Sequence, residues 1–98
     1  MAITTIAALA TPNAVAEGAT TRFTTTGPFW FYGDNLNFDD RILLYRLGPS
    51  GSYKIMTNAE GPIFLSKNPN SAYIPGGGSF SASKIAGSST PSIGYEEV

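Results

Sequence analysis

Four groupings of side chains in this sequence are of a type and spacing that could do chemistry. Ser81-Ala82-Ser83-Lys84 matches an S-x-x-K pattern, in which a lysine one helical turn after a serine can take up its proton and activate it as an acyl-transfer nucleophile. That geometry needs a helix. The surrounding residues are Gly/Ser-rich and strand-like, so positions three apart are expected on opposite faces and Lys84 out of reach of Ser81. Asn35, Asn37 and Asp39, with Asp34 and Asp40 beside them, present alternating oxygens of the kind calcium accepts. Counted from Asn35, however, the positions that require glycine and a bidentate acid hold Asp40 and Arg46, and the stretch reads as a hydrogen-bonded loop. Pro75-Gly76-Gly77-Gly78-Ser79 is glycine-rich like a phosphate cradle, yet no Gly-Lys-Ser/Thr follows and no helix opens after it. Glu96 and Glu97 are adjacent, unlike paired carboxylates held across a cleft.

The absences point the same way. The chain has no Cys and no His, which removes the thiolate nucleophile, the usual general base at neutral pH and the usual zinc ligands. No catalytic, metal-binding or cofactor-binding residue is assigned, and no enzyme is expected. The six basic residues, Arg22, Arg41, Arg46, Lys54, Lys67 and Lys84, are dispersed one at a time against seven acidic ones. A nucleic-acid binder clusters such charges to neutralise phosphates, so nucleic acid is not an expected partner. A net charge of −1 offers weak protection against association. No run of about eighteen apolar residues is present to span a membrane. The first sixteen residues end in Ala-Val-Ala like a secretion signal, but they lack a positive start and are interrupted by Thr4, Thr5, Thr11 and Asn13, so a signal is not expected.

The elements that must position these residues read as strands. Residues 20–26 are β-branched and stop at Gly27-Pro28, residues 29–33 are aromatic, and residues 41–47 alternate around Ile42 and Leu44. Gly48-Pro49-Ser50-Gly51-Ser52 turns the chain into residues 53–57, a β-hairpin. Shorter strands follow at 63–66, 72–74, 79–86 and 93–98, each introduced by Gly, Pro or Asn. The best helical candidate, residues 3–10, is short, β-branched and ended by Thr11-Pro12. The expected fold is all-β: an antiparallel β-sandwich or small barrel of seven to eight short strands in one domain, 1–98. Residues 1–19 are expected to form an extended arm and residues 20–98 the sandwich core.

Phe29-Trp30-Phe31-Tyr32 poses the main functional question, because four successive aromatics in a strand cannot all face one core. One pair fills the interior; the other lies on the outer face and must be covered by the chain itself, by a partner or by a ligand. The 41–47 strand repeats the problem, with Leu43, Tyr45 and Leu47 opposite Ile42 and Leu44. Trp and Tyr are favoured anchors of protein interfaces. The residues assigned to an interface are Phe29, Trp30, Phe31, Tyr32, Leu43 and Tyr45, with Ile3, Ile6 and Leu9 of the arm. The alternative is a glycan-binding module, with Trp30 and Tyr32 as a stacking platform and Asn35, Asn37 and Asp39 binding hydroxyls.

The stretch from residue 41 to residue 82 resembles a known type of module. Its strand, Gly-rich turn and strand ending in an aromatic (Leu44-Tyr45-Arg46-Leu47-Gly48-Pro49-Ser50-Gly51-Ser52-Tyr53), followed by the Pro-Gly-rich approach to a late strand (Ile74-Pro75-Gly76-Gly77-Gly78-Ser79-Phe80), is similar to small β-sandwich virion proteins of tailed bacteriophages. The resemblance implies a capsid decoration or cement protein, or a head- or tail-fibre component, made in the host cytoplasm and residing in the virion. It also implies a major capsid or other virion protein as partner and a homo-oligomer, a trimer where such proteins sit on three-fold positions.

Overall fold

The structure is a computed structural model and describes residues 3–9 and 21–98. Eleven strands run in chain order: β1 (Thr4–Ala8), β2 (Phe23–Thr25), β3 (Phe29–Asp34), β4 (Arg41–Leu47), β5 (Tyr53–Ile55), β6 (Thr57–Asn58), β7 (Gly61–Pro62), β8 (Phe64–Leu65), β9 (Ser71–Ile74), β10 (Gly78–Ala86) and β11 (Ser92–Glu97). One sheet has the order β1-β11-β3-β9 and the second β2-β10-β4-β5, with β8 also paired to β4. Every pairing is antiparallel. The all-β sandwich expected from the alternation is what forms.

Strands β5 and β8 are two halves of one edge. β5 pairs with the C-terminal part of β4, at Tyr45↔Ile55, and β8 with its N-terminal part, at Leu43↔Phe64. Between them Met56 N donates to Leu44 O and Leu44 N donates to Ile63 O, while the β6–β7 hairpin projects from the interruption. With that edge counted as one strand, eight strands form two four-stranded sheets in the orders 1-8-3-6 and 2-7-4-5. This is jelly-roll topology, an arrangement used by viral capsid and lectin domains among others.

The core lies between the sheets and is built from aromatics. Phe29, Phe31, Ile74 and Ile93 of the first sheet meet Phe23, Phe80, Ile42, Leu44, Leu65 and Ala82 of the second. Phe29 and Phe80 cross the gap edge-to-face at 4.8 Å between centroids, and Phe23 stacks on Tyr95 at 5.0 Å. Full burial of side chains of this size contributes about 1.5–3 kcal/mol each.

Two expectations change at the N-terminus and in mid-chain. Of the expected 1–19 arm, the described residues 3–9 form an edge strand instead: Thr4 pairs with Tyr95 and Ala8 with Ser92 around a bulge at Ile6. Leu9 N donates to Pro91 O at 2.8 Å and the Leu9 side chain enters the core. Residues 1, 2 and 10–20 lie outside the described residues. The strand expected at 53–57 divides after Ile55, because Met56 turns toward the core and Thr57 starts the projecting hairpin.

Candidate functional site

The alternation of β3 resolves as Phe29, Phe31 and Gly33 inside and Trp30, Tyr32 and Asp34 outside. Phe29 and Phe31 have no exposed surface. Their assignment to an interface is therefore corrected: the phenyl rings are the fully apolar members of the quartet and take the dry side, while Trp and Tyr keep a polar atom toward water. Trp30 and Tyr32 do occupy the outer face. Tyr73, directly opposite Trp30 on β9, joins them with its ring 5.3 Å from the indole at a tilt of 59°. Trp30 is 40% exposed and Tyr73 47%, so this pair is open to solvent.

Polar groups surround the pair. Across β11 the partners of Trp30, Tyr32 and Asp34 are Glu96, Gly94 and Ser92. Tyr32 Oη donates to Glu96 Oε1 at 3.3 Å. Partial burial and the neighbouring Glu96 carboxylate, which also accepts that hydrogen bond, push the Tyr32 hydroxyl above its ordinary pKa. Gly94 carries no side chain because β1 passes close: a Cβ there would lie 2.8 Å from Thr4 O and 2.8 Å from Ile3 Cγ2. The result is a groove of about 300 Å³ beside Tyr32, lined also by Thr5, Asp34, Asn70 and Ser92. At the far end of the face, Glu97 Oε1 accepts from Thr26 N at 2.8 Å and from Thr26 Oγ1 at 3.0 Å. Those bonds hold the Glu97 carboxyl below its usual value.

The outer face of the second sheet is apolar along β4, β5 and β8 and carries serines along β10. Ile42 and Leu44 point into the core, which turns Leu43, Tyr45 and Leu47 outward. Their register partners Phe64, Ile55 and Tyr53 share that face. Leu43 and Tyr45 are buried and form a small apolar cluster with Tyr53, while Ile55 at 45% and Phe64 at 44% stand exposed. Leu47 and Ile85 are exposed as well. Ser83 Oγ donates to Tyr45 Oη at 2.9 Å, and Ser81 Oγ shares a hydrogen bond with Thr21 Oγ1 at 3.0 Å. Arg22 lies over the Tyr53 ring, 4.9 Å from its centre. The assigned residues Leu43 and Tyr45 thus lie on an outer face, but Phe64, Ile55, Leu47 and Ile85 carry its exposed surface. Alternation in residues 53–55 was the signal for Ile55; residues 63–65 are all apolar and gave none for Phe64, and the pairing of β8 beside Leu43 was not visible locally.

The arm residues separate. Ile3 is exposed at the edge of the first sheet near Gly94, Ile6 packs against the core and Leu9 is buried in it. Ile6 and Leu9 are consequently core residues of this fold, a correction to their place in an external arm.

The Asp34–Asp40 loop is a strut linking the sheets. Asp40 is completely buried; its Oδ2 accepts from Asn37 N at 2.7 Å and from Ser89 Oγ, and Asn37 O accepts from Asp40 N at 3.1 Å. Ser89 Oγ also reaches Asn35 O at 3.2 Å, and buried Lys84 donates through Nζ to Ser89 O. Burial pushes the Asp40 carboxyl up, but the Ser89 hydroxyl, the Asn37 and Ser89 amides and the Lys84 charge outweigh it and hold the group below its ordinary value. The Asn37 backbone and the Asp39 carboxylate take part in this framework, Asp39 accepting from Ser88 Oγ at 3.2 Å, and no group of three or more acidic or metal-ligating side chains is gathered among the described residues. Ser81 and Lys84 fall on opposite faces of β10, Ser81 outward and Lys84 beside the loop. The Gly-rich turn packs against β2, where a Cβ on Gly77 would meet Thr25 O at 2.7 Å, and Gly77 O accepts from Arg46 at 2.9 Å.

Two outer faces therefore remain as candidate sites, one aromatic and polar, one apolar. Neither a protein-family model nor a curated protein nor a solved structure matches the chain.

Proposed function

We propose that this chain is a non-enzymatic structural protein of a phage virion, a capsid decoration or cement protein that self-associates and sits on a shell through the outer face of the β2-β10-β4-β5 sheet. The observation that carries the reading is the apolar character of that face. Phe64, Ile55, Leu47 and Ile85 stand exposed around the Leu43–Tyr45–Tyr53 cluster, on a sheet side where a monomer would place polar residues. Such a face matches the apolar centre of a stable interface, with Phe64 and the half-buried Tyr53 as its aromatic anchors. The jelly-roll topology is compatible with the reading, since capsid domains use it, and the dispersed charge leaves no competing electrostatic footprint. A major capsid protein is the surface it would sit on, the virion its location, and a fibre module would use the same face.

Sedimentation velocity of the purified chain beside Phe64→Lys tests it. The wild type is expected to sediment as a discrete oligomer, a trimer under three-fold symmetry. The variant is expected to sediment as a monomer with unchanged circular dichroism, because Phe64 is exposed and its replacement leaves the core intact. A wild-type chain that stays monomeric at high micromolar concentration overturns the self-association.

A further inference from the structure

We propose that the outer face of the β1-β11-β3-β9 sheet is a saccharide-binding face that takes a neutral, hydroxyl-rich glycan chain. Three observations carry it. Trp30 and Tyr73 form an exposed aromatic platform on regular strands, with positions held by cross-strand pairing rather than by a loop. The C–H faces of a sugar ring pack on such a surface while its hydroxyls need polar partners around the rim. Those partners are present: Glu96 stands opposite Trp30, and Asp34 and Asn70 line the groove beside Tyr32. Side chains two apart on a strand emerge about 7 Å from one another, so Trp30 and Tyr32 are spaced to meet successive parts of a sugar chain running along β3.

The charge of the face selects the class of ligand. Its outward positions on the four strands, among them Thr5, Trp30, Tyr32, Asp34, Tyr73 and Glu96, include two carboxylates and no lysine or arginine. A phosphate, a sulfated glycan or a nucleic acid would meet repulsion there, whereas neutral hexose or N-acetylhexosamine units supply the hydroxyl and amide donors that carboxylates accept. The groove at Gly94, about 300 Å³, is at the lower end of the size of small-ligand sites. Asn35, Asn37 and Asp39 do not line this groove; the backbone of Asn35 and Asn37 and the carboxylate of Asp39 bond instead to the Asp40–Ser88–Ser89 framework. The face lies on the opposite side of the sandwich from the one proposed for assembly, so either proposal can fail without the other.

Trp30 is the chain's only tryptophan, which makes its fluorescence a reporter at the site itself. The test titrates the intact protein with neutral hexasaccharides, of glucose in α and β linkage, mannose, xylose and N-acetylglucosamine, and with a heparin-derived hexasaccharide as anionic control. A saturable change with at least one neutral chain and none with the anionic one is expected. Tyr73→Ala is expected to weaken that binding at least about tenfold, as loss of a central aromatic anchor does. Glu96→Gln, which keeps the fold and the side-chain shape, is expected to weaken it as well. Absence of any fluorescence change at millimolar sugar overturns the proposal, as does equal binding by Tyr73→Ala. A Tyr73→Ala variant that changes sedimentation and not sugar binding would assign the face to a protein contact, which also overturns it.

Discussion

Replacing Asp40 with alanine would remove the acceptor through which the Asp34–Asp40 loop, Ser89 and Lys84 are joined. Two hydrogen bonds to its Oδ2 disappear, from Asn37 N at 2.7 Å and from Ser89 Oγ, and the buried Lys84 ammonium loses its nearby countercharge. Hydrogen bonds to a charged group contribute about 1.5–3 kcal/mol each, and donors left buried without a partner add their own desolvation cost. Allowing for water entering the space vacated, the expected loss is about 3 kcal/mol. In a domain of this size that lowers the melting temperature by roughly 12–24 °C. Asp40→Asn keeps the shape and one acceptor oxygen and is expected to lose less. The pH dependence separates the charge from the shape. Because the folded carboxyl is held below its ordinary value, its contribution is fully present above the unfolded value near pH 4 and is lost as pH falls through the lower folded value. The gap in stability between wild type and Asp40→Asn should therefore narrow on acidification below about pH 4. Glu97 is also held low and contributes in the same direction, but equally in both proteins. Thermal and urea unfolding from pH 7 to pH 2 measure this. An Asp40→Ala melting temperature within a few degrees of wild type, or a gap that widens in acid, would refute the strut.

Rings inside the sandwich and on its outer face should respond unequally to truncation. Phe80→Ala and Phe29→Ala, each removing a fully buried ring from the inter-sheet stack, are expected to cost about 3–5 kcal/mol in urea unfolding, against less than about 1 kcal/mol for Trp30→Ala. Comparable losses in all three would mean that the outer indole is part of the core. Gly87 sits at φ 117°, and a Cβ there would overlap Asp40 Oδ1 and lie 2.6 Å from Asp40 Cα. Gly87→Ala should destabilise the fold by more than about 2 kcal/mol through strain and overlap. Combined with Asp40→Ala, which removes Oδ1, the two losses should sum to more than the double variant shows; strict additivity would indicate that the contact is absent.

Some of this was legible in the residues. Arg41–Leu47 is a strand with the bounds its alternation implies, and Gly48-Pro49-Ser50-Gly51-Ser52 makes the hairpin turn, with Gly51 N donating to Gly48 O at 3.0 Å. Both are local matters: β-branched and aromatic residues suit a pleated surface, and glycine at φ 87° in Gly51 suits a tight turn. The two-sidedness of Phe29-Trp30-Phe31-Tyr32 was also legible, because a period of two permits nothing else.

Alternation alone could not say which pair faces in, since both sides of β3 and β4 are apolar and burial is a property of what packs above. Strand pairing chose the phenylalanines, because Phe23 and Phe80 arrive opposite them from the other sheet. The same holds for Tyr73, which joins Trp30 across 43 positions of chain, and for Phe64, which reaches Leu43 only because a hairpin is inserted in the edge strand. The residues 3–9 read as an arm because their neighbour, β11, lies at the other end of the chain. By itself the sequence determined that the chain would form short antiparallel strands with two usable faces. Only the tertiary structure decided the strand order, the buried Asp40–Ser89–Lys84 strut and which aromatics remain outside, because each depends on contacts whose entropy of closure must be met by partners distant in sequence.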